Sequence, residues 1–502
     1  MAQRDQPDCA PQRYFAIHVV DEQTGRGVPL VELRTVHNTR YYTDSHGLVA
    51  FDEPGLEGRE VFFHVESHGY EYPQDGFGSR GKILRVQPGT KAELRVKRLN
   101  IAERLYRVTG VGIYADSVRL GRPVPIAQPL LNAQVSGQDS VMAAVWQERI
   151  WWFWGDTNRP KYPLGHFQVS GATSRLPSQG GLRAAQGIDL EYFVDREGFS
   201  RPMCPMPYPN HAVWIEGLAV VSDAAGKTHL AARYMRMKSL GEMLEHGLVV
   251  YDESQQKFVK RVAFDLKDDA RCPQGQAFTW TTEGQQWLAF ATPFALTRVQ
   301  PKLEHLADAT RYESFSCLEP GSAWDAERSK VQRDQEGRVV WGWKARTAPI
   351  GQREERALID AGQLRVQEAR LQVCDAQSGK PIRLHKGSIR WNEHRKAWIM
   401  VAVQVGGSSY LGEVWFLQAP TPTGPWREAR KIVTHRKYTF YNPVQHAFLD
   451  EDQGRRIYFE GTYAVTFSGN PTPTPCYDYN QIMYRLDLDD PRLAAPAATD
   501  HP

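Results

Sequence analysis

The chain has 502 residues, with Lys+Arg 61 against Asp+Glu 58 and a formal net charge of +3. That length exceeds one ordinary domain, and 41% hydrophobic with 24% charged residues excludes a disordered chain. The balanced charge predicts no nucleic-acid partner, and the scattered charges leave no apolar stretch long enough for a bilayer, so no membrane partner is expected. Gly 41 and Pro 32 punctuate many short strands, and Trp 14, Tyr 21 and Phe 20 give an aromatic bias that suits a β core or a sugar-handling surface. The six cysteines, Cys9, Cys204, Cys272, Cys317, Cys374 and Cys476, show no CxxC spacing, which excludes a zinc ribbon or thioredoxin-type motif. The start, MAQRDQPDCAPQRYF, has no basic region followed by an apolar one. It reads as cytoplasmic as given, or as periplasmic or secreted where a signal peptide has been removed.

In chain order, residues 14–98 predict a small antiparallel β-sandwich: YFAIHVVD alternates as a strand, TGRGVP turns, and LVELRTV, YYTDSHGLVAF, VFFHVESHGY and AELRVKRL supply further strands. A connector over 99–137 contains the Pro-rich PVPIAQP. From 138 to 488 five strand–turn–strand clusters follow, at 140–156, 212–235, 277–294, 387–404 and 440–463. Repeated hairpins without strict sequence repetition predict a five-bladed β-propeller, with a twisted double sheet as the alternative. REERALIDAGQLRVQEARLQVC (353–374) predicts one long charged helix inserted outside the ring. The expected fold class is therefore all-β, a sandwich followed by a propeller with a helical insertion.

Several chemistries are absent: there is no GxxxxGK[ST], HExxH, GxSxG or strand-associated GxGxxG. Carboxylates at strand ends remain. Asp139 in GQDSV opens the first hairpin and Asp156 in WWFWGDTN closes it, so the returning chain can bring them to one end. Glu216 in AVWIEGLAV is flanked by apolar residues, a setting expected to raise its pKa as a general acid requires. Two carboxylates on one cleft are what glycoside hydrolysis needs, one ionised and one protonated. Each also has a plainer reading, as a turn cap or a paired core group.

Candidate substrate contacts are Trp154 for stacking; His211, His385 and His446 near predicted inner strands; Arg233 for an acidic sugar; and Glu245, His246, Glu413 and Glu460. Trp214, Tyr441 and Tyr479 are further stacking candidates. Turn, core or ion-pair roles are the alternatives for each. Hydrolysis needs no cofactor, and no tight metal-ligand cluster is visible; a structural or channel ion such as calcium is compatible with the carboxylates.

Three phrases resemble known families. "V-D-x-x-T-G-x-x-V-P", followed by "Y-x-T-D-S-x-G-x-x-x-F", resembles the transthyretin-like or carboxypeptidase-regulatory-like sandwich. "IWWFWGDTN", with an aspartate 17 residues earlier, resembles the signature of the 4185 family of domains of unknown function. "GEVWFLQAPTPTGPW" resembles a blade phrase of glycoside hydrolase family 43 and its relatives. The resemblance implies a propeller glycosidase in which Asp139 and Asp156 are catalytic candidates and Glu216 matches the general acid. Here W-G-D-T replaces F-G-D-T, and no second-blade aspartate completes the family 43 triad.

The leading expectation is a carbohydrate-active enzyme hydrolysing a glycosidic bond in an oligo- or polysaccharide, with Asp139, Asp156 and Glu216 as its acid/base set. A polysaccharide lyase acting on a uronate-containing glycan through His211, His246, Tyr234 and Arg233 is the first alternative. A non-catalytic sugar-binding propeller is the second. Oligomeric state is left open.

Overall fold

The computed structural model describes residues 13–207 and 211–494. The alternation in FAIHVVD places Phe15, Ile17 and Val19 on one face of the strand Phe15–Asp21. Those side chains pack with Leu33, Phe63 and Leu94 between two four-stranded sheets that occupy the chain up to Arg98. One pairing differs from the antiparallel expectation. Phe15–Asp21 runs parallel to Lys91–Arg98, because these are the first and last strands of the unit and no tight turn joins them.

Beyond this unit, a small three-stranded sheet and five larger ones follow. The larger ones are antiparallel but for one parallel pair in the fourth, and the first strand of each of the five hairpins expected from the sequence forms one edge. Those first strands are Met142–Trp146, Ala212–Ser222, Gln276–Thr282, Leu384–Asn392 and Thr439–Gln445. Five hydrophobic cores lie between the sheets in cyclic order. Trp151 and Phe153 of the first sheet meet Val213 and Ile215 of the second, and Val221 of the second meets Phe290 of the third. Phe278 of the third meets Met400 of the fourth, and Ile399 of the fourth meets Phe459 of the fifth. Tyr458 of the fifth returns to Trp152 and Trp154 of the first. Sheets packed face to face around a closed ring are a β-propeller. The run IWWFW is apolar throughout because alternate side chains serve two cores, one on each face of the strand.

The segment 99–137 does more than connect. Its strand Glu103–Arg107 pairs with Asn480–Asp487 as the outermost strand of the fifth sheet, so residues almost 380 positions apart close the ring. The inserted helix is also shorter than the charged pattern predicts: it spans Gln352–Asp360 only. Gly362, at φ +70°, turns the chain, and Gly362 N–H and Gln363 N–H bond back to the carbonyls of Ile359 and Leu358. The residues beyond it form a short 3₁₀ turn and the strand Val373–Asp375, which lies parallel to Glu428–Val433 on the fourth sheet. The five described cysteines are unpaired, and among the described residues no helix is long and apolar enough to cross a membrane.

Candidate active site

A cavity of about 660 Å³ opens where the propeller's first strands begin, and all five contribute to its wall. The first sheet supplies Asp139 and, from its second strand, Trp154, followed by Gly155 and Asp156. The second gives Trp214 and Glu216, the third Gln276, the fourth His385 and Lys386, and the fifth Tyr441. The loop after the strand Arg456–Ala464 adds Phe467, Asp478 and Tyr479.

Asp139 and Asp156 are locked together by the hairpin. Gly155 N–H donates to the Asp139 carbonyl at 2.9 Å, and Asp156 N–H donates to Asp139 Oδ1 at 3.1 Å. A Cβ on Gly155 would stand 2.3 Å from that Oδ1, so the glycine of the WGDT phrase is what allows the close approach. Tyr441 Oη donates to Asp139 Oδ2 at 3.1 Å, and Tyr479 lines the cavity beside this carboxylate. Trp214 Nε1–H reaches Asp156 Oδ1 at 3.1 Å. Burial, and then the neighbouring Asp156 charge, push Asp139 up to about 7. Burial also raises Asp156, against the pull of the Trp214 hydrogen bond.

Glu216 goes the other way, correcting the expectation drawn from its apolar flanks. Burial on its own would raise its pKa, yet the Lys386 ammonium, the Arg233 charge and the Gly275 N–H together hold it below the ordinary carboxylate range. Lys386 Nζ bonds Oε1 directly, and Gly275 N–H donates to Oε2 at 3.0 Å. A break in strand register between Glu216 and Ala219, with Gly217 at φ +62°, interrupts the ladder where this carboxylate meets the cavity.

Of the residues singled out in the sequence, Asp139, Trp154, Asp156, Trp214, Glu216, His385, Tyr441 and Tyr479 are brought together here. The others line no part of the cavity, and their packing explains why. His446 Nε2 meets Glu460 Oε1 at 2.7 Å as a sealed pair, with both side chains fully buried between sheets. Glu413, also fully buried, accepts the Ser408 N–H at 3.1 Å. Arg233 is buried on the second strand of its sheet, where it bonds the Pro273 carbonyl at 3.1 Å and Asp269. It acts on the site only through its charge on Glu216. His246 points at the Asp265 carbonyl at 3.0 Å. Glu245 bonds Lys260 at 2.7 Å and Tyr234, and His211 Nδ1 meets Arg236 at 2.9 Å. Among the described residues, no group of three His, Cys, Asp or Glu side chains is placed to hold a metal ion.

Sequence reasoning missed Lys386 and Asp478. Lys386 sits beside His385 in LHKGSIRW, where a lysine reads as a solvated strand end; only the approach of the fourth sheet to the second makes it the partner of Glu216. Asp478 lies between two tyrosines in YDYN, and its Oδ1 accepts from Tyr438 Oη and Val465 N–H, each at 2.6 Å.

A β-propeller with several carboxylates gathered at its pocket is the class defined by this fold and site. No family model matches the sequence, and no curated protein matches it. Among solved structures, the exo-β-1,3-galactanase of Phanerochaete chrysosporium aligns at 10% identity and a TM-score of 0.37, over 76% of this chain and 64% of that one. The chain thus spans less than two thirds of that enzyme's length. The GH43_1 enzyme from Xanthomonas citri, complexed with xylose, aligns at 9% identity and TM-score 0.33 over 71% and 87% of the two chains. An exo-1,5-α-L-arabinanase from a bovine ruminal metagenomic library aligns at 10% and 0.34 over 70% and 94%. None of these likenesses assigns a substrate or a residue role to this chain.

Proposed function

We propose that the protein hydrolyses a glycosidic bond of an oligo- or polysaccharide in the propeller pocket. The observation that carries this reading is the opposed setting of two carboxylates sharing one cavity, Asp139 buried against Asp156 and Glu216 paired with Lys386. Asp139, brought to about 7, holds a proton near neutrality, whereas Glu216, held low beside Lys386, stays ionised. Such a pair divides the work of glycoside hydrolysis. Asp139 donates its proton to the departing glycosidic oxygen as the bond to the anomeric carbon breaks. Glu216 takes a proton from the attacking water or attacks the anomeric carbon itself. Asp156 contributes the charge that keeps the Asp139 proton in place. This distribution moves the acid's role from Glu216, where the sequence pattern put it, to Asp139. Trp154, Trp214 and Phe467 offer apolar wall for the faces of sugar rings.

The Glu216–Lys386 ion pair favours a second reading, in which an already satisfied carboxylate only bonds sugar hydroxyls and the pocket binds without turnover. The lyase reading has no such support, because its four residues do not line the cavity. Mass spectrometry of a broad glycan panel after incubation with the pure protein separates these outcomes. Shortened chains that have gained one water support hydrolysis. Products lighter by that water would restore the lyase, and binding without any product would leave the non-catalytic site.

A further inference from the structure

The pocket wall between the strands Arg456–Ala464 and Asn480–Asp487 is not held by the propeller alone. Tyr477, 1% exposed in this loop, accepts the Leu30 N–H at 3.0 Å on its hydroxyl and donates that hydroxyl's proton to the Thr43 carbonyl at 2.5 Å. Both partners belong to the N-terminal sandwich. The Arg107 guanidinium lies 4.4 Å from the centre of the Tyr477 ring, bonds the Cys476 carbonyl and reaches the Gly112 carbonyl at 2.6 Å. A second grip lies nearby: His68 of the sandwich meets the Tyr463 hydroxyl at 2.8 Å, and that hydroxyl pairs with Thr474 at 3.1 Å.

Two residues on, Tyr479 lines the cavity together with Asp139, and its carbonyl accepts the N–H of Gln138, the residue before Asp139, at 2.8 Å. Cys476 and Tyr479 stand at φ +62° and +60°, a left-handed conformation that costs a non-glycine residue free energy and persists only where surrounding contacts impose it. The chain thus passes from a sandwich anchor to the carboxylate in three residues, through backbone that needs holding.

We propose that the N-terminal sandwich is a working part of the site: through Tyr477, a positioning residue, it fixes the loop 465–479 so that Tyr479 is held beside Asp139. This rests on the reading of Asp139 as the acid, and it gives the sandwich a role beyond packing.

The test uses the full chain and two measurements. Hydrogen exchange followed by mass spectrometry reads the amides of 465–479, and a carboxyl carbon titration, assigned with Asp139→Asn, reads Asp139. Tyr479→Phe sets the direction in which Asp139 moves when the Tyr479 hydroxyl is removed from the cavity wall. Tyr477→Phe, which keeps the ring and removes both sandwich bonds, is expected to speed exchange in the loop about tenfold and to displace the Asp139 titration in that same direction. Arg107→Lys, which keeps the charge but loses the Cys476 contact, is expected to do the same from another side. Loop exchange or an Asp139 titration indistinguishable from wild type in both variants would overturn the proposal, even in an active hydrolase. A protein that cleaves no glycan would sink the hydrolase reading while leaving both measurements to decide this one.

Discussion

Glu216 and Glu460 occupy nearly the same sequence, a carboxylate followed by glycine inside an apolar strand, in AVWIEGLAV and IYFEGTY. Glu216 lies on the first strand of its sheet, opens on the pocket and is held ionised by Lys386. Glu460 lies on the second strand of its sheet, covered on both faces, and meets His446. The difference teaches that the rank of a strand within its sheet, more than the chemistry of its neighbours in sequence, decides whether a buried carboxylate can do work. The first strands border the shared cavity, whereas the second strand at Glu460 is walled in by the cores on either side.

The contrast can be broken most sharply from the pocket side. Asp139→Asn removes the transferable proton and is expected to lower turnover about a thousandfold while sugar binding persists, read by initial rates and by calorimetric titration on any glycan the panel identifies. On the sealed side, Glu460→Ala leaves His446 without its buried partner. Chemical denaturation should report a loss of about 3 kcal/mol, with turnover by the folded fraction unchanged. A large change in turnover there would erase the distinction between the two strands.

Stability against pH sharpens the same point. Burial and the Asp156 charge push Asp139 up to about 7 from an ordinary 3.8, so the folded state keeps a proton that the unfolded chain releases in between. Its contribution is fully present below about 4 and is lost as pH rises through 7. Asp139→Asn is therefore expected to be more stable than wild type at pH 8 by about 2 kcal/mol, reduced for water in the open pocket, and no more stable at pH 4, as urea titrations at the two pH values would show. The smallest effect concerns the ion pair. Lys386→Met removes the strongest of the groups that oppose burial at Glu216 and leaves the Arg233 charge and the Gly275 N–H, so its carboxyl should move up, visible as an upward shift of the corresponding carbon titration.

Much of the fold was legible because it rests on local pattern. The five hairpins were visible as apolar strands joined by charged or glycine turns, although that IWWFW is buried on both faces came only with the packing of the sheets. The charged stretch 353–374 misled because the helical period continues past Gly362, where the backbone turns off. In the site, Asp139 and Asp156 could be paired from sequence because one hairpin joins them. The histidines could not be sorted: lying near a strand end resembles lying on the channel, yet His446 faces a neighbouring strand of its own sheet and His246 a backbone carbonyl.

The sequence by itself determined the strands, the hairpins and the adjacency of the two aspartates, since each depends on side-chain alternation and turn residues within some twenty positions. Only the tertiary structure decided that Lys386 neutralises Glu216 across 170 residues, that Glu103–Arg107 closes the ring, and that Tyr477 ties the pocket wall to the sandwich. Contacts of that kind depend on how sheets are arranged in space. Charges and hydroxyls far apart in the chain then meet where water is excluded and their interaction is strong.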